Sequence, residues 1–257
     1  MNLEEMRPAQ IQDAAARGVP LLLPVGVLEN HGWHLPCGVD LLVTRGISKK
    51  VAEQIEAVIA PSLSYGPGVN LVGRPEMGSL EVGYREYLPH AQSVLTGLVK
   101  MGFRKIFVIC HHQGPGGQQG LSMQLAAAHL GAEEPRAVHP VWWGELPPDK
   151  QPKAPQIHVM GTPSGRFLDK QYYGGDHAGF VETCLILGLQ PETADLEELN
   201  RGEPWFGQRD PHPSTCTAEF SQEFTDAWAT ALAEEIAIRA GVKTEEEVKA
   251  ERDSRTA

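Results

Sequence analysis

Two runs constrain this chain more than any other feature: VPLLLPVGVL at 19–28 and KIFVIC at 105–110. Both are almost continuously apolar instead of alternating, so each must be hidden on both faces. Strands of that kind belong inside a parallel sheet that carries helices on either side. The intervening segments meet this demand. Residues 41–57 show helical spacing with Asp40 placed as N-cap, and VIAPSL (58–63) reads as a short second strand. Helices are expected at 84–102, where Pro89 is tolerable near the first turn or as a kink, and at 118–130. A strand is expected at 136–143 (RAVHPVWW), then helices at 177–189 and 221–241. Strand–helix alternation with crossovers of this length predicts a three-layer α/β/α fold with a mainly parallel central sheet, one domain over 1–241. Residues 242–257 read as a charged, mobile tail.

Composition narrows the partners. The 257 residues carry a net charge of −11 with no basic cluster, which argues against nucleic acid or an anionic membrane as partner. No apolar run approaches the roughly 20 residues of a membrane span. The start, MNLEEMRPAQIQDAAARG, lacks the basic opening and apolar stretch of a signal peptide. Cys37, Cys110, Cys184 and Cys216 are scattered without CxxC spacing and read as reduced thiols, so a cytoplasmic location is expected. The 27 glycines and 20 prolines exceed the average share of about 12% by roughly half. Shaped loops are therefore plentiful, and loops carry function.

Ligands on parallel sheets bind beyond the carboxyl ends of the strands. ENHGWHLPCGVD (29–40) follows the first strand and HHQG (111–114) follows the central one. In an extended segment residues i and i+2 share a side, so Glu29 and His31 can face one ion together with Asn30 turned away. Taken alone Asp40 would be a helix cap. The Glu-x-His pair after a buried strand favours a metal site over a solvated turn, because buried charge needs a partner. His34 reads as packing beside that site. His111 and His112 point to opposite faces if the strand continues, so one of the two enters the site. Cys110 reads as a buried apolar residue and Asp176 as a cap. Glu182, inside the apolar FVETCLI, needs a partner.

Three stretches resemble the motifs of the creatininase family. PVGVLENHGWHLPCGVD resembles its PxGSxEQHGPHLPxGxD, VICHHQGPGG its strand-end NGHGGN, and GGDHAGFVET its GDHAGExET. They occur in that order across residues 20–190. The resemblance implies a homo-oligomeric, hexameric α/β hydrolase with a two-metal site bridged by one carboxylate. Carried over by position, Glu29, Asp40 and His112 would hold one ion, and His31 and Asp40 the second. The family's creatininase has a Glu two residues after the strand-end His where this chain has Gly114, which puts creatinine in doubt as substrate; Glu182 would complete the second ion instead. The Glu of HAGE is Phe180 here. His177 would carry the proton, making His177 and Glu182 the catalytic candidates. PEMGSL (75–80) resembles the substrate loop PGTISL, so Ser79 is a substrate-contact candidate, with Gln113, Trp143 and Tyr173 as further lining. Mixed O/N ligation suits Zn, Mn or Fe(II). Two such ions lower the pKa of a shared water, so that hydroxide can attack a carbonyl near neutral pH. The substrate implied is a small cyclic amide. The alternative is ring-opening C–C hydrolysis of a cyclic diketone such as a diketo-inositol or keto-sugar. A non-catalytic binding protein on the same fold would show broken ligands, yet Glu29, His31, Asp40 and His112 are all present.

Overall fold

The computed structural model describes residues 1–69, 75–114, 116–133, 156–161, 177–201 and 211–256. After helix α1 (Pro8–Ala16) the chain runs through β1 (Leu21–Val25), α2 (Val39–Gln54), β2 (Val58–Ile59) and α3 (Tyr84–Lys100). It continues through β3 (Lys105–Cys110), α4 (Gln118–Glu133), β4 (Gln156–Gly161), α5 (Phe180–Leu189), α6 (Ala218–Arg239) and α7 (Glu245–Thr256). The strands form one parallel sheet in the order β2-β1-β3-β4. The two apolar runs are its centre: Leu21 pairs with Ile106 and Val25 with Cys110.

Alternation along these strands sends side chains into two cores. Leu21, Leu23, Val25, Ile106 and Val108 pack with Tyr87 and Leu95 of α3 and Met123 of α4. Leu22, Phe107 and Ile109 pack on the other face with Ile47 of α2, Leu185 of α5 and Trp228 of α6. The fold is thus the expected three-layer α/β/α arrangement. Among the described residues no helix is long and apolar enough to cross a membrane.

Three details differ from the sequence reading, and one expectation falls outside the described residues. Helix α2 starts at Val39 with Gly38 at its N-cap, so Asp40 lies inside the first turn and makes no capping bond. Strand β4 falls between the strand expected at 136–143 and the helix expected at 177–189, where no element was expected, because QIHVMG mixes Gln and His with only a few apolar residues. The strand expected at 136–143 lies outside the described residues. The charged tail forms α7. Thr244 and Glu247 make a reciprocal capping box: the Thr244 N–H donates to Glu247 Oε2 (2.8 Å) and the Glu247 N–H to Thr244 Oγ1 (3.2 Å). Arg252 and Arg255 then reach the buried Glu234 carboxylate of α6. A helix with little apolar surface of its own is held by its cap and by these pairs.

His158 shows how β4 enters the core. Its ring stacks on Phe107 (centroids 4.8 Å apart, planes within 6°), and its Nε2 is buried with no hydrogen-bond partner among the described residues. Burial, reinforced by Arg239, pushes its pKa down to about 4. Above pH 6.5 neither folded nor unfolded chain protonates this ring, and nothing is lost. Below it the unfolded chain takes the proton first, so stability falls until about pH 4. His34, also pushed down to about 4 mainly by burial, adds to the same window. His158→Leu should therefore remove about half of the acid slope between pH 6.5 and 4, on the order of 1.4 kcal/mol per pH unit. Urea unfolding midpoints across that range check this; an unchanged slope would contradict a buried neutral His158.

Candidate metal centre

Beyond the carboxyl edge of the sheet, four segments converge. The chain leaving β1 delivers Glu29 and His31, and the chain leaving β3 delivers His111 and His112. The first turn of α2 delivers Asp40, and the first turn of α5 delivers Glu182 with His177 just ahead of it. Gly26 makes the approach possible. A Cβ there would stand 2.8 Å from the Leu41 nitrogen and 2.9 Å from the Asp40 carbonyl carbon, so only a glycine lets the chain after β1 pass against the start of α2. Gly26→Ala should force these backbones apart and carry Asp40 out of place. The expected result is a destabilisation of about 1–3 kcal/mol with weakened metal binding, read by thermal unfolding and metal titration. A variant with wild-type stability and metal affinity would show that the close approach is not needed.

Glu29, His31, Asp40, His112 and Glu182 are all buried, with Glu182 the most exposed at 6%. His112 Nδ1 lies 3.1 Å from Glu29 Oε2 and 3.3 Å from Asp40 Oδ2. His31 Nε2 lies 3.5 Å from Glu182 Oε2, and its Nδ1 makes a 2.9 Å hydrogen bond to the Glu29 carbonyl. That bond places the Nδ1 proton on the backbone side and turns Nε2 of the neutral ring toward the carboxylates. His177 Nδ1 stands 3.7 Å from Glu29 Oε2, its Nε2 is 2.7 Å from the Asn30 carbonyl, and its ring lies 4.2 Å from that of His31. Three sets of ligand atoms lie within 4.8 Å of one another: Glu29, Asp40 and His112; His31, Asp40 and Glu182; and Glu29, His31 and His177.

Among the described residues, the charged partners of these carboxylates are histidines. Burial alone would push His31 down, but Glu182 and Asp40 outweigh it and hold the ring up at about 9. Burial is likewise outweighed at His112, where hydrogen bonds and charge from Asp40 and Glu29 bring it to about 10. The same pairs hold Asp40 below the usual carboxylate range against its burial, and Glu182 well below it. The carboxylates thus call for positive charge between them. A metal fits better than protons. Asp40 Oδ2 and His31 Nε2 are buried with no partner in good hydrogen-bond geometry, only the side-on contacts of 3.3 Å to His112 and 3.5 Å to Glu182. The separations of 3.1, 3.3 and 3.5 Å match the roughly 3.3 Å between two ligand atoms each about 2.0–2.1 Å from a tetrahedral ion.

The remaining candidates fall as follows. Both histidines of the HHQG stretch reach the cluster, correcting the expectation of one. Strand β3 ends at Cys110, so alternation no longer applies, and His111 Nε2 sits 3.1 Å from Glu182 Oε1. His34 packs beside the site, its Nε2 3.2 Å from Thr183 Oγ1. The Ser79 hydroxyl accepts the Asn30 N–H at 2.9 Å, bracing the loop that carries Glu29 and His31. Gln113 donates from Nε2 to the Gly68 carbonyl (3.0 Å), fixing the loop over His112. Gly68 has φ +106, and a Cβ on it would meet His112 Nε2 at 2.8 Å. Gln113 and Ala178, next to His112 and His177, hold positive φ values of 54° and 53°. Strain of this kind concentrates at functional sites. Trp143, Tyr173 and Asp176 lie outside the described residues.

A buried set of carboxylates and imidazoles at the carboxyl edge of a parallel sheet is the kind of site on which metal-dependent hydrolases work. Residues 4–236 match the creatininase family, described as creatinine amidohydrolase, and the chain belongs to that family of metal-dependent hydrolases. It is 28% identical over 200 residues to the creatinine amidohydrolase of Pseudomonas putida, covering 72% of this chain and 70% of the relative. It is 27% identical over 110 residues to the 3-dehydro-scyllo-inosose hydrolase of Thermotoga maritima, covering 42% of this chain and 35% of that protein. Among solved structures, a mutant creatininase of Zn–Zn type superposes with a TM-score of 0.72 at 21% identity, covering 93% of this chain and 97% of that one. A manganese creatininase gives 0.67 at 20% identity, covering 93% and 98%.

Proposed function

We propose that Glu29, Asp40 and His112 hold one divalent ion, that His31, Asp40 and Glu182 hold a second, and that the chain hydrolyses a small cyclic amide. The observation that carries this reading is that two three-residue ligand groups share Asp40. The creatinine amidohydrolase relative supports the substrate class, and the Zn–Zn and manganese creatininases support those metals. When bound, a pair of such ions supplies a water of lowered pKa and polarises a carbonyl.

The rest is the work of the side chains. The neutral His177 ring donates from Nε2 to the Asn30 carbonyl, so Nδ1, facing Glu29, is the atom that takes up and releases a proton. As general acid it delivers that proton to the leaving nitrogen. His111 fixes one oxygen of Glu182 while the other faces His31. Gly114 has φ +63 and nothing within 4 Å of where its Cβ would be, so no carboxylate reaches the second ion from there. This departure is what puts creatinine itself in doubt as the cyclic amide.

Zn- or Mn-loaded protein assayed against lactams, hydantoin-like rings and cyclic diketones should convert a cyclic amide to a product heavier by one water. Turnover confined to cyclic diketones would move the chain to the C–C ring-opening reading; a folded, metal-loaded protein inert to every ring would favour a binding protein. The family resemblance also leads us to expect an assembly larger than a dimer. Light scattering giving a 28.0 kDa particle at micromolar concentration would exclude it.

A further inference from the structure

Cys184 lies in α5 and Cys216 directly precedes the N-cap of α6, with their sulfurs 2.6 Å apart. That is within about 0.6 Å of the covalent S–S length of about 2.05 Å. Both thiols are buried in one apolar cluster with Leu185, Phe224 and Trp228, and Cys216 Sγ also faces the Phe180 carbonyl at 3.4 Å. The other two cysteines are placed elsewhere: Cys110 is in the core on the opposite face of the sheet, and Cys37 points at the Met77 carbonyl. Helix α5 packs on α6 and on the 3-10 turn Pro213–Thr215 that Cys216 closes, and these contacts bring the two sulfurs against one another.

We propose that Cys184 and Cys216 are a redox pair that closes to a disulfide when peroxide oxidises one of them. Cys216, at 7% exposure, is the more accessible, and Cys184 is at 0%. The Cys216 sulfur attacks the O–O bond of hydrogen peroxide and becomes a sulfenic acid, with one oxygen leaving as water. The Cys184 sulfur then displaces the sulfenic oxygen as a second water while the S–S bond forms. Two thiols and one peroxide give one disulfide and two waters; each sulfur loses one electron and the peroxide gains two. Burial slows the first step, because thiolate is the reacting form. Proximity makes the second fast, diverting the sulfenic acid from irreversible oxidation to sulfinic acid. The bond ties α5, two residues past Glu182, to the chain leading into α6.

The test uses the zinc-loaded full chain, treated with hydrogen peroxide, quenched with catalase, unfolded and alkylated without reductant. Tryptic mapping should join peptide 171–201 to peptide 210–239 in a species that reductant separates, while Cys37 and Cys110 stay outside the cross-link. Cys184→Ala and Cys216→Ala should each lose that species, and Cys37→Ala should keep it. Four alkylated thiols after a dose that oxidises an exposed reference thiol would overturn the proposal. So would sulfinic acid at Cys216 without the cross-link, or a disulfide through Cys37.

Discussion

Asp40→Ala is expected to empty both metal positions at once and to abolish turnover. Asp40 belongs to two of the three ligand groups, one with Glu29 and His112, the other with His31 and Glu182. Removing it leaves two protein ligands on each side, fewer than the three typical of a catalytic zinc site. Metal ions supply several kcal/mol of transition-state stabilisation, so activity should fall by about 10³-fold or more. Elemental analysis of purified, reloaded protein should read close to two ions per chain for wild type and close to zero for the variant. Glu29→Ala leaves the His31, Asp40 and Glu182 group intact and should spare partial occupancy of that ion. Asp40→Asn, which keeps the shape and removes the charge, separates lost ligation from a packing defect. Two tightly bound ions in Asp40→Ala would sink the shared-ligand assignment.

The central strands were legible because a run such as KIFVIC has one cheap resting place, a sheet covered on both faces. Strand β4 was not legible. His158 sits in a core position by stacking on Phe107, and no pattern of apolar residues announces a histidine that is buried and neutral. Helix α7 carried its signal openly in TEEE, a capping box that the charge of the segment obscured. The place of Asp40 turned on one residue. Whether a carboxylate caps a helix or stands in its first turn depends on the backbone angles of Gly38, which sequence does not give.

For the cluster, residue type and position pointed to Glu29 and His31 and to a partner for Glu182, while Asp40 and His112 were nominated as ligands only through the family resemblance; the fold brings all five together. The rule that failed was alternation. It assumed that β3 continues through 111–112, whereas the chain turns after Cys110 and both imidazoles swing inward. The bracing contacts, Ser79 to Asn30 and Gln113 to Gly68, span 49 and 45 residues and depend on how loops fold back. Ser79 and Gln113, two of the side chains nominated as substrate contacts, thus have structural partners in the loops they brace.

Glu182→Gln is expected to cost one of the two ions and leave the other. A plainer role exists: as the third residue of α5, Glu182 accepts the Ala178 N–H at 2.5 Å, as a capping carboxylate does, and the positive end of the helix favours its charge. Capping alone does not account for the rest of its surroundings. One oxygen is tied to His111, the other faces His31 at 3.5 Å, and the group is held ionised far below its ordinary range although burial opposes this. A carboxylate has about four lone-pair positions, so a backbone bond and an ion can share it. Gln keeps the size and one acceptor oxygen but loses the charge that balances a dication. Removing one partner of a buried charge pair costs about 3–5 kcal/mol, which corresponds to a second-ion affinity weaker by roughly 10²–10⁴-fold. Calorimetric metal titration should show one tight ion where wild type shows two. His111→Ala, which leaves the carboxylate but frees it to turn, should weaken the same ion by only about 10–100-fold. If Glu182→Gln still binds two ions tightly while melting at lower temperature, the carboxylate is a cap and not a ligand. A metal-loaded structure with that carboxylate beyond about 4 Å from either ion would say the same, since carboxylate–zinc bonds are near 2 Å.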